Sequence, residues 1–120
     1  MTGDYARRIA GWAARAGARA ETVRYPRPEA RGEVCALRLA PRGMARMRVV
    51  AAHGAGNDAV YPLLALFRAL LDAGAEVFSF DVDGHGAAST TLFARDVVRT
   101  SVPAAVRAAE VGRAELPLHV

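Results

Sequence analysis

The order of apolar and polar side chains predicts a strand, helix, strand unit in the middle of the chain. Residues 47–52 and 77–80 are almost continuously apolar, which is typical of strands covered on both faces. Between them, residues 60–73 carry apolar side chains at helical spacing. The connections are short and the crossover is long enough for the two strands to run parallel, so we expect a right-handed βαβ unit.

Alternating patterns precede this unit, and further elements follow it. Residues 21–26 and 34–40 alternate apolar with polar side chains, which predicts two strands with one wet face near a sheet edge. A helix is expected over about residues 92–111, kinked or restarted at Pro103, because proline has no amide hydrogen. Residues 116–120 are typical of the beginning of one more strand.

The N-terminal segment is predicted to form an amphipathic helix over residues 4–17, because its apolar side chains fall on one helical face. We therefore divide the chain of 120 residues into an N-terminal helix at residues 1–19 and one α/β domain at residues 20–120. The fold class is α/β, and the domain is expected to contain a mostly parallel sheet of about five strands with flanking helices.

The composition narrows the classes of function. The net charge is +4, and all sixteen basic residues are arginines. These arginines are scattered along the chain. Nucleic-acid-binding proteins usually concentrate basic charge on one face, so we expect no nucleic-acid partner. No apolar run approaches the ~20 residues of a membrane helix, and arginines interrupt the N-terminal segment, so a cytoplasmic location without a membrane partner is expected. Cys35 is interpreted as a small core residue.

Candidate chemistry lies in two Gly-rich loops that follow the strands of the βαβ unit. Ligands of parallel α/β sheets bind outside the carboxyl ends of the strands, which places the candidate site at residues 53–58 and 81–89. Glycines in the first loop allow a sharp turn that leaves backbone N–H groups aimed into the cleft, as an oxyanion hole requires. Acidic side chains in the second loop can accept hydrogen bonds from turn amides.

Residues 46–89 resemble the third strand, first helix and fourth strand of the α/β-hydrolase superfamily. The resemblance rests on an HGxG turn at His53–Gly56 and on a D-x-x-G-H-G-x-S-like segment that begins at Asp81. The second segment is similar to that of the serine-aminopeptidase and monoacylglycerol-lipase-like branch. It departs from the family at Ala87 and Ala88, because one residue usually separates GHG from the serine that follows.

The resemblance implies roles for individual residues. The backbone N–H of Ala55 would donate to the oxyanion, and the turn around it would be shaped by His53, Gly54 and Gly56. Structural roles in the second loop are implied for Asp81, Gly84, His85 and Gly86. The family's nucleophile lies on a G-x-S-x-G elbow directly after the fifth strand, and no such motif occurs in these 120 residues. We therefore expect the nucleophile, the acid and the catalytic histidine to lie outside this chain.

The expected function is that of the N-terminal part of a serine hydrolase, inactive alone, whose parent protein acts on a small-molecule ester, amide or thioester. Neither a metal nor an organic cofactor is implied by the resemblance. An open apolar sheet edge is expected to favour self-association of the chain.

Two other interpretations stay open. The segment from Gly54 to Ala59 formally matches the G-x-G-x-x-A fingerprint of dinucleotide-binding domains, with Asp81 at the end of the next strand. Asp81 lies 27 positions after Gly54, however, which exceeds the spacing of roughly 20 that the fingerprint prefers. Alternatively, the chain is a non-catalytic truncated product.

A metal site that would use His53, Asp81, Asp83 and His85 is a weaker hypothesis, because ligands spaced this closely are common in loops.

Overall fold

Helices pack on both faces of one mixed sheet in the computed structural model, which describes residues 4–26, 33–52, 63–81, 97–110 and 117–119. In chain order the elements are α1 (Tyr5–Arg8), α2 (Ala10–Ala16), β1 (Arg19–Pro26), β2 (Glu33–Ala40), β3 (Met47–Ala52), α3 (Leu64–Asp72), β4 (Ala75–Phe80), α4 (Val97–Glu110) and β5 (Leu118–His119). The strand, helix, strand unit predicted in the middle of the chain is therefore present as β3, α3 and β4.

The sheet has the strand order β1-β2-β4-β3-β5. β3 runs parallel to β4 and β5, whereas β2 runs antiparallel to both of its neighbours. Four strands have six to eight residues, and β5 adds a pairing of two residues beside β3. The prediction of a mostly parallel sheet is thus wrong, and the sheet is mixed. A parallel pair needs a crossover of about a dozen residues, whereas residues 27–32 alone join β1 to β2.

Two apolar layers cover the two faces of the sheet. One layer joins the strands to α1, α2 and α3, and its buried members are Tyr5, Ile9, Cys35, Leu37, Leu39, Phe67, Leu71 and Val77. The other joins the strands to α4, and its buried members are Val34, Ala36, Val50, Phe78, Phe80, Ala105 and Ala109. The prediction that β2 has one wet face is therefore wrong, because β2 is an inner strand with helices over both of its faces.

The N-terminal segment forms two short helices rather than the single helix predicted over residues 4–17. The break lies at Ile9, whose φ of −107° and ψ of 15° depart from helical values. Tyr5 and Ile9 nevertheless point into the core, as the predicted apolar face requires. α2 ends at Gly17, whose φ of 69° is the left-handed conformation that glycine adopts without a Cβ clash.

The remaining two helices lie within their predicted ranges, and residues 92–96 and 111 of the second range lie outside the described residues. α3 begins at Leu64, and residues 60–62 of its predicted range lie outside the described residues. α4 continues through Pro103 rather than restarting there. The packing of Ala105 and Ala109 against the sheet holds α4 in place beyond the proline.

A cluster of three charged side chains, the Arg38 cluster, lies on the α4 face of the sheet and comprises Glu21, Arg38 and Glu76. The guanidinium Nε of Arg38 lies 3.2 Å from Oε1 of Glu76, and Nη1 lies 3.5 Å from Oε2 of Glu21. Nη2 also donates to the carbonyl oxygen of Ala108 in the last turn of α4 at 3.3 Å. The Arg38 cluster therefore links three strands to the helix above them.

Candidate active site

The carboxyl ends of β3 and β4 lie side by side, where a parallel α/β sheet binds its ligands. The strands run in register from Met47 opposite Ala75 to Ala52 opposite Phe80. Ala52 directly precedes the first candidate loop in the chain, and Asp81 directly follows Phe80. The two loops thus leave neighbouring strands at the same edge of the sheet, as the βαβ prediction requires.

Most of the predicted site residues lie outside the described residues: His53, Gly54, Ala55, Gly56, Gly84, His85 and Gly86. Asp81 is described, and it is almost completely buried, with 1% of its surface exposed. Its backbone N–H donates to the carbonyl oxygen of Cys35 at 3.0 Å, which extends the pairing of β4 with β2 by one residue. Its predicted structural role in the second loop stays a prediction, because residues 82–89 lie outside the described residues.

The side chain of Asp81 accepts a hydrogen bond from the N-terminal helix. The hydroxyl of Tyr5, itself fully buried, donates to Oδ2 of Asp81 at 2.5 Å. Sequence reasoning placed Tyr5 on the apolar face of its helix but did not identify this contact. The sequence did offer one signal for it. Tyr5 carries a hydroxyl on an otherwise apolar helical face, and a buried Tyr O–H usually has a hydrogen-bond partner.

Hydrogen bonds to β1 hold the beginning of α1 in place. Asp4 caps the helix by accepting from the backbone N–H of Arg7 at 3.1 Å, and its Oδ1 also accepts from the hydroxyl of Thr22 at 2.8 Å. The same hydroxyl oxygen accepts from the backbone N–H of Ala6 at 3.0 Å. The hydrogen bond from Arg7, followed by that from Thr22, lowers the pKa of Asp4 below its ordinary value. These contacts fix the residues on either side of Tyr5.

Cys35 lies beside the same buried contact and is not activated. Burial raises the pKa of its thiol, because a thiolate would lose its hydration in the apolar layer, and the charge of Asp81 acts in the same direction. The neutral thiol packs in the layer that contains Tyr5 and Leu37. This environment supports the interpretation of Cys35 as a core residue rather than a nucleophile.

The described parts of the chain contain neither a cluster of metal ligands nor a membrane-spanning helix. No three His, Cys, Asp or Glu side chains come together there in an arrangement that could hold a metal ion. Among the same residues, no helix is both long enough and apolar enough to cross a bilayer.

Known proteins share this architecture. No family model and no curated protein matches the sequence. Among solved structures, a lipase in an open form matches with a TM-score of 0.68 and 22% identity, over 82% of this chain and 34% of the lipase chain. An esterase of Pyrococcus furiosus matches with a TM-score of 0.68 and 15% identity, over 88% of this chain and 42% of the esterase chain.

The matched chains are much longer than this one, which spans 34% of the lipase chain and 42% of the esterase chain. At 22% and 15% identity, with a TM-score of 0.68 for both, the similarity shows a shared fold alone. Both structures belong to enzymes of the α/β-hydrolase superfamily, the same superfamily that the HGxG turn and the second loop indicate. The described residues therefore form an α/β-hydrolase-like fold, and they correspond to its N-terminal portion.

Proposed function

We propose that this chain is the N-terminal part of a serine hydrolase and that it contributes the turn carrying the oxyanion hole. The observation that carries the proposal is the position of Ala52 and Asp81 at one edge of the sheet, with the carboxyl ends of β3 and β4 in register. The HGxG segment begins at the residue after Ala52. A turn at this place would present its amides to the crevice in which such folds bind ligands.

The proposed chemistry is acyl transfer. Attack of a serine hydroxyl on an ester, amide or thioester carbonyl places negative charge on the carbonyl oxygen, and the backbone N–H of Ala55 would donate to that oxygen. Losing one such donor typically raises the activation barrier by about 3 kcal/mol. His53, Gly54 and Gly56 would shape the turn, and the second loop would support it from the neighbouring strand.

The nucleophile in this proposal comes from sequence outside residues 1–120. In the fold, the G-x-S-x-G elbow follows the fifth strand, and the acid and the histidine follow the elbow. The 34% and 42% shares of the lipase and esterase chains support this division. The chain alone would then be inactive, whereas a longer product of the same reading frame would hydrolyse small esters. A cytoplasmic location and the serine-aminopeptidase or monoacylglycerol-lipase-like branch belong to the same proposal.

An activity-based probe tests the proposal. A fluorophosphonate should leave residues 1–120 unlabelled and should label one serine in the longer product. In that product, Ala55→Pro removes the backbone N–H and should lower kcat by about a hundredfold to a thousandfold, the range for loss of one oxyanion donor. Ala55→Gly keeps the N–H and is the matched control. Labelling of the short chain, or equal kcat values for the two variants at equal melting temperature, would contradict the proposal.

The dinucleotide-binding alternative is less well supported by the sheet. Dinucleotide-binding folds use a parallel sheet around the fingerprint strand, whereas β4, the neighbour of β3, pairs on its other side with an antiparallel strand. Titration with NADH, followed by quenching of Trp12 fluorescence, distinguishes the two functions. Micromolar affinity would favour the oxidoreductase, and absence of binding together with fluorophosphonate labelling of the longer product would favour the hydrolase.

A further inference from the structure

A buried hydrogen bond joins the beginning of the chain to the edge of the sheet where the candidate site lies. Tyr5 and Asp81 are separated by 76 positions in sequence, and 0% and 1% of their respective surfaces are exposed. We infer that Tyr5 is a positioning residue, which orients the carboxyl end of β4 through the side chain of Asp81. The role of this contact in catalysis rests on the proposed function, whereas the contact itself does not.

Asp81 is held from two directions at once. Its backbone N–H donates to Cys35 in β2, and its Oδ2 accepts from Tyr5 in α1. The backbone contact fixes the main chain of Asp81, and the contact with Tyr5 restrains its side chain. Phe80, the residue before Asp81, pairs in register with Ala52 at the end of β3. A shift of Asp81 would therefore be transmitted to the ends of both strands.

Tyr5 is itself held rigidly enough to orient a partner. Its ring lies in the apolar layer with Ile9 and Cys35, and the guanidinium of Arg8 lies 5.2 Å from the ring centroid. The Asp4 cap and the Thr22 contacts fix the backbone on either side of it. A phenylalanine would fill the same apolar site, so the hydroxyl is the part of Tyr5 that packing does not require. Burial of that hydroxyl is unfavourable unless it is hydrogen-bonded, and Asp81 meets this requirement.

Amide hydrogen exchange of the 120-residue chain tests the inference. Tyr5→Phe should accelerate exchange at Ala52, Phe80 and Asp81 by about tenfold or more, the order expected for loss of a hydrogen bond to a carboxyl group. Exchange at Ala105 and Ala109, on the opposite face of the sheet, should change much less. Tyr25→Phe removes a hydroxyl from a half-buried tyrosine on that opposite face, and it should not produce this local pattern.

Substitutions of Asp81 separate positioning from general stability. In an Asp81→Ala background, Tyr5→Phe should have no further effect on the local exchange, whereas Asp81→Asn keeps an acceptor and should restore part of the protection. Equal acceleration at all amides, or no acceleration at Phe80 and Asp81, would overturn the inference. In the longer product, Tyr5→Phe should lower kcat more than it raises KM. If that product has no hydrolase activity, the proposed function fails while the exchange experiment still decides the role of Tyr5.

Discussion

Replacing Glu76 by glutamine keeps the shape of the side chain and removes its charge, which makes it a direct test of the Arg38 cluster. Glu76 and Arg38 are 5% and 13% exposed at their side chains, and their charged atoms are 3.2 Å apart. Arg48, which is 5% exposed, is the register partner of Glu76 on β3. The variant would therefore leave buried positive charge with less compensation, in a region that water reaches poorly.

Breaking a buried ion pair by removing one partner typically costs about 3–5 kcal/mol. We expect the lower end of this range, about 3 kcal/mol, because Glu21 remains 3.5 Å from Arg38 and its side chain is 65% exposed. A domain of this size has a free energy of unfolding of about 5–15 kcal/mol, so the loss is a large fraction of the total. At a urea m-value of roughly 2 kcal/mol/M, the unfolding midpoint should fall by about 1.5 M.

Urea unfolding followed by far-ultraviolet circular dichroism measures this change. Asp72→Asn is the matched control, because the Arg68–Asp72 pair on α3 has side chains that are 51% and 64% exposed, and an exposed pair of this kind contributes about 0.3–0.5 kcal/mol. The double variant Arg38→Met/Glu76→Leu removes both charges and should be more stable than Glu76→Gln. A midpoint for Glu76→Gln equal to that of Asp72→Asn would refute the reasoning, because it would mean that water screens the pair.

Three further predictions concern the framework around the candidate site. Gly74→Ala should destabilise the chain by about 1–2 kcal/mol in thermal unfolding, because φ is +86° there and an added Cβ would meet the Arg46 guanidinium at 2.8 Å; unchanged melting would contradict this. Cys35 should react with Ellman's reagent only as fast as the chain unfolds, because 2% of its surface is exposed in the folded chain; immediate reaction would show an accessible thiol. The lowered pKa of Asp4 should contribute stability above pH 3.8 that is lost as the pH falls through the folded-state pKa, so wild type and Asp4→Asn should converge in acid. A constant difference between their melting temperatures from pH 7 to pH 2 would exclude this linkage.

The sequence predicts the centre of the fold well because burial on both faces leaves a clear pattern. The apolar run of β3, the helical stripe of α3 and the fully buried β4 were each located to within a few residues. The direction of β2 was not predicted, since alternation of side chains reports which faces are covered and not which way the strand runs. The burial of both faces of β2 was not predicted either, because Arg38 suggested a solvent-exposed face. The charge of Arg38 is instead paired with Glu76 beneath α4.

The candidate site was predicted from its position rather than from its contacts. The rule that ligands bind at the carboxyl ends of strands identified the edge that holds Asp81. Its partner Tyr5 could not be predicted, because a contact over 76 positions depends on how α1 docks on the finished sheet. The break at Ile9 was not predicted because the apolar face is continuous through it, and side-chain periodicity does not report the φ and ψ of a single residue.

The contact between Tyr5 and Asp81 also has a consequence for the order of synthesis. α1 and α2 contain four and seven residues, and isolated helices shorter than about 12 residues are marginal in water. At roughly 5–20 residues per second, the ribosome adds Asp81 several seconds after Tyr5. Until β4 has left the exit tunnel, the apolar side chains of α1 and α2 have no complete sheet to pack against. Docking of α1 on the sheet should therefore follow the pairing of β4 with β2, because Asp81 contacts both Cys35 and Tyr5.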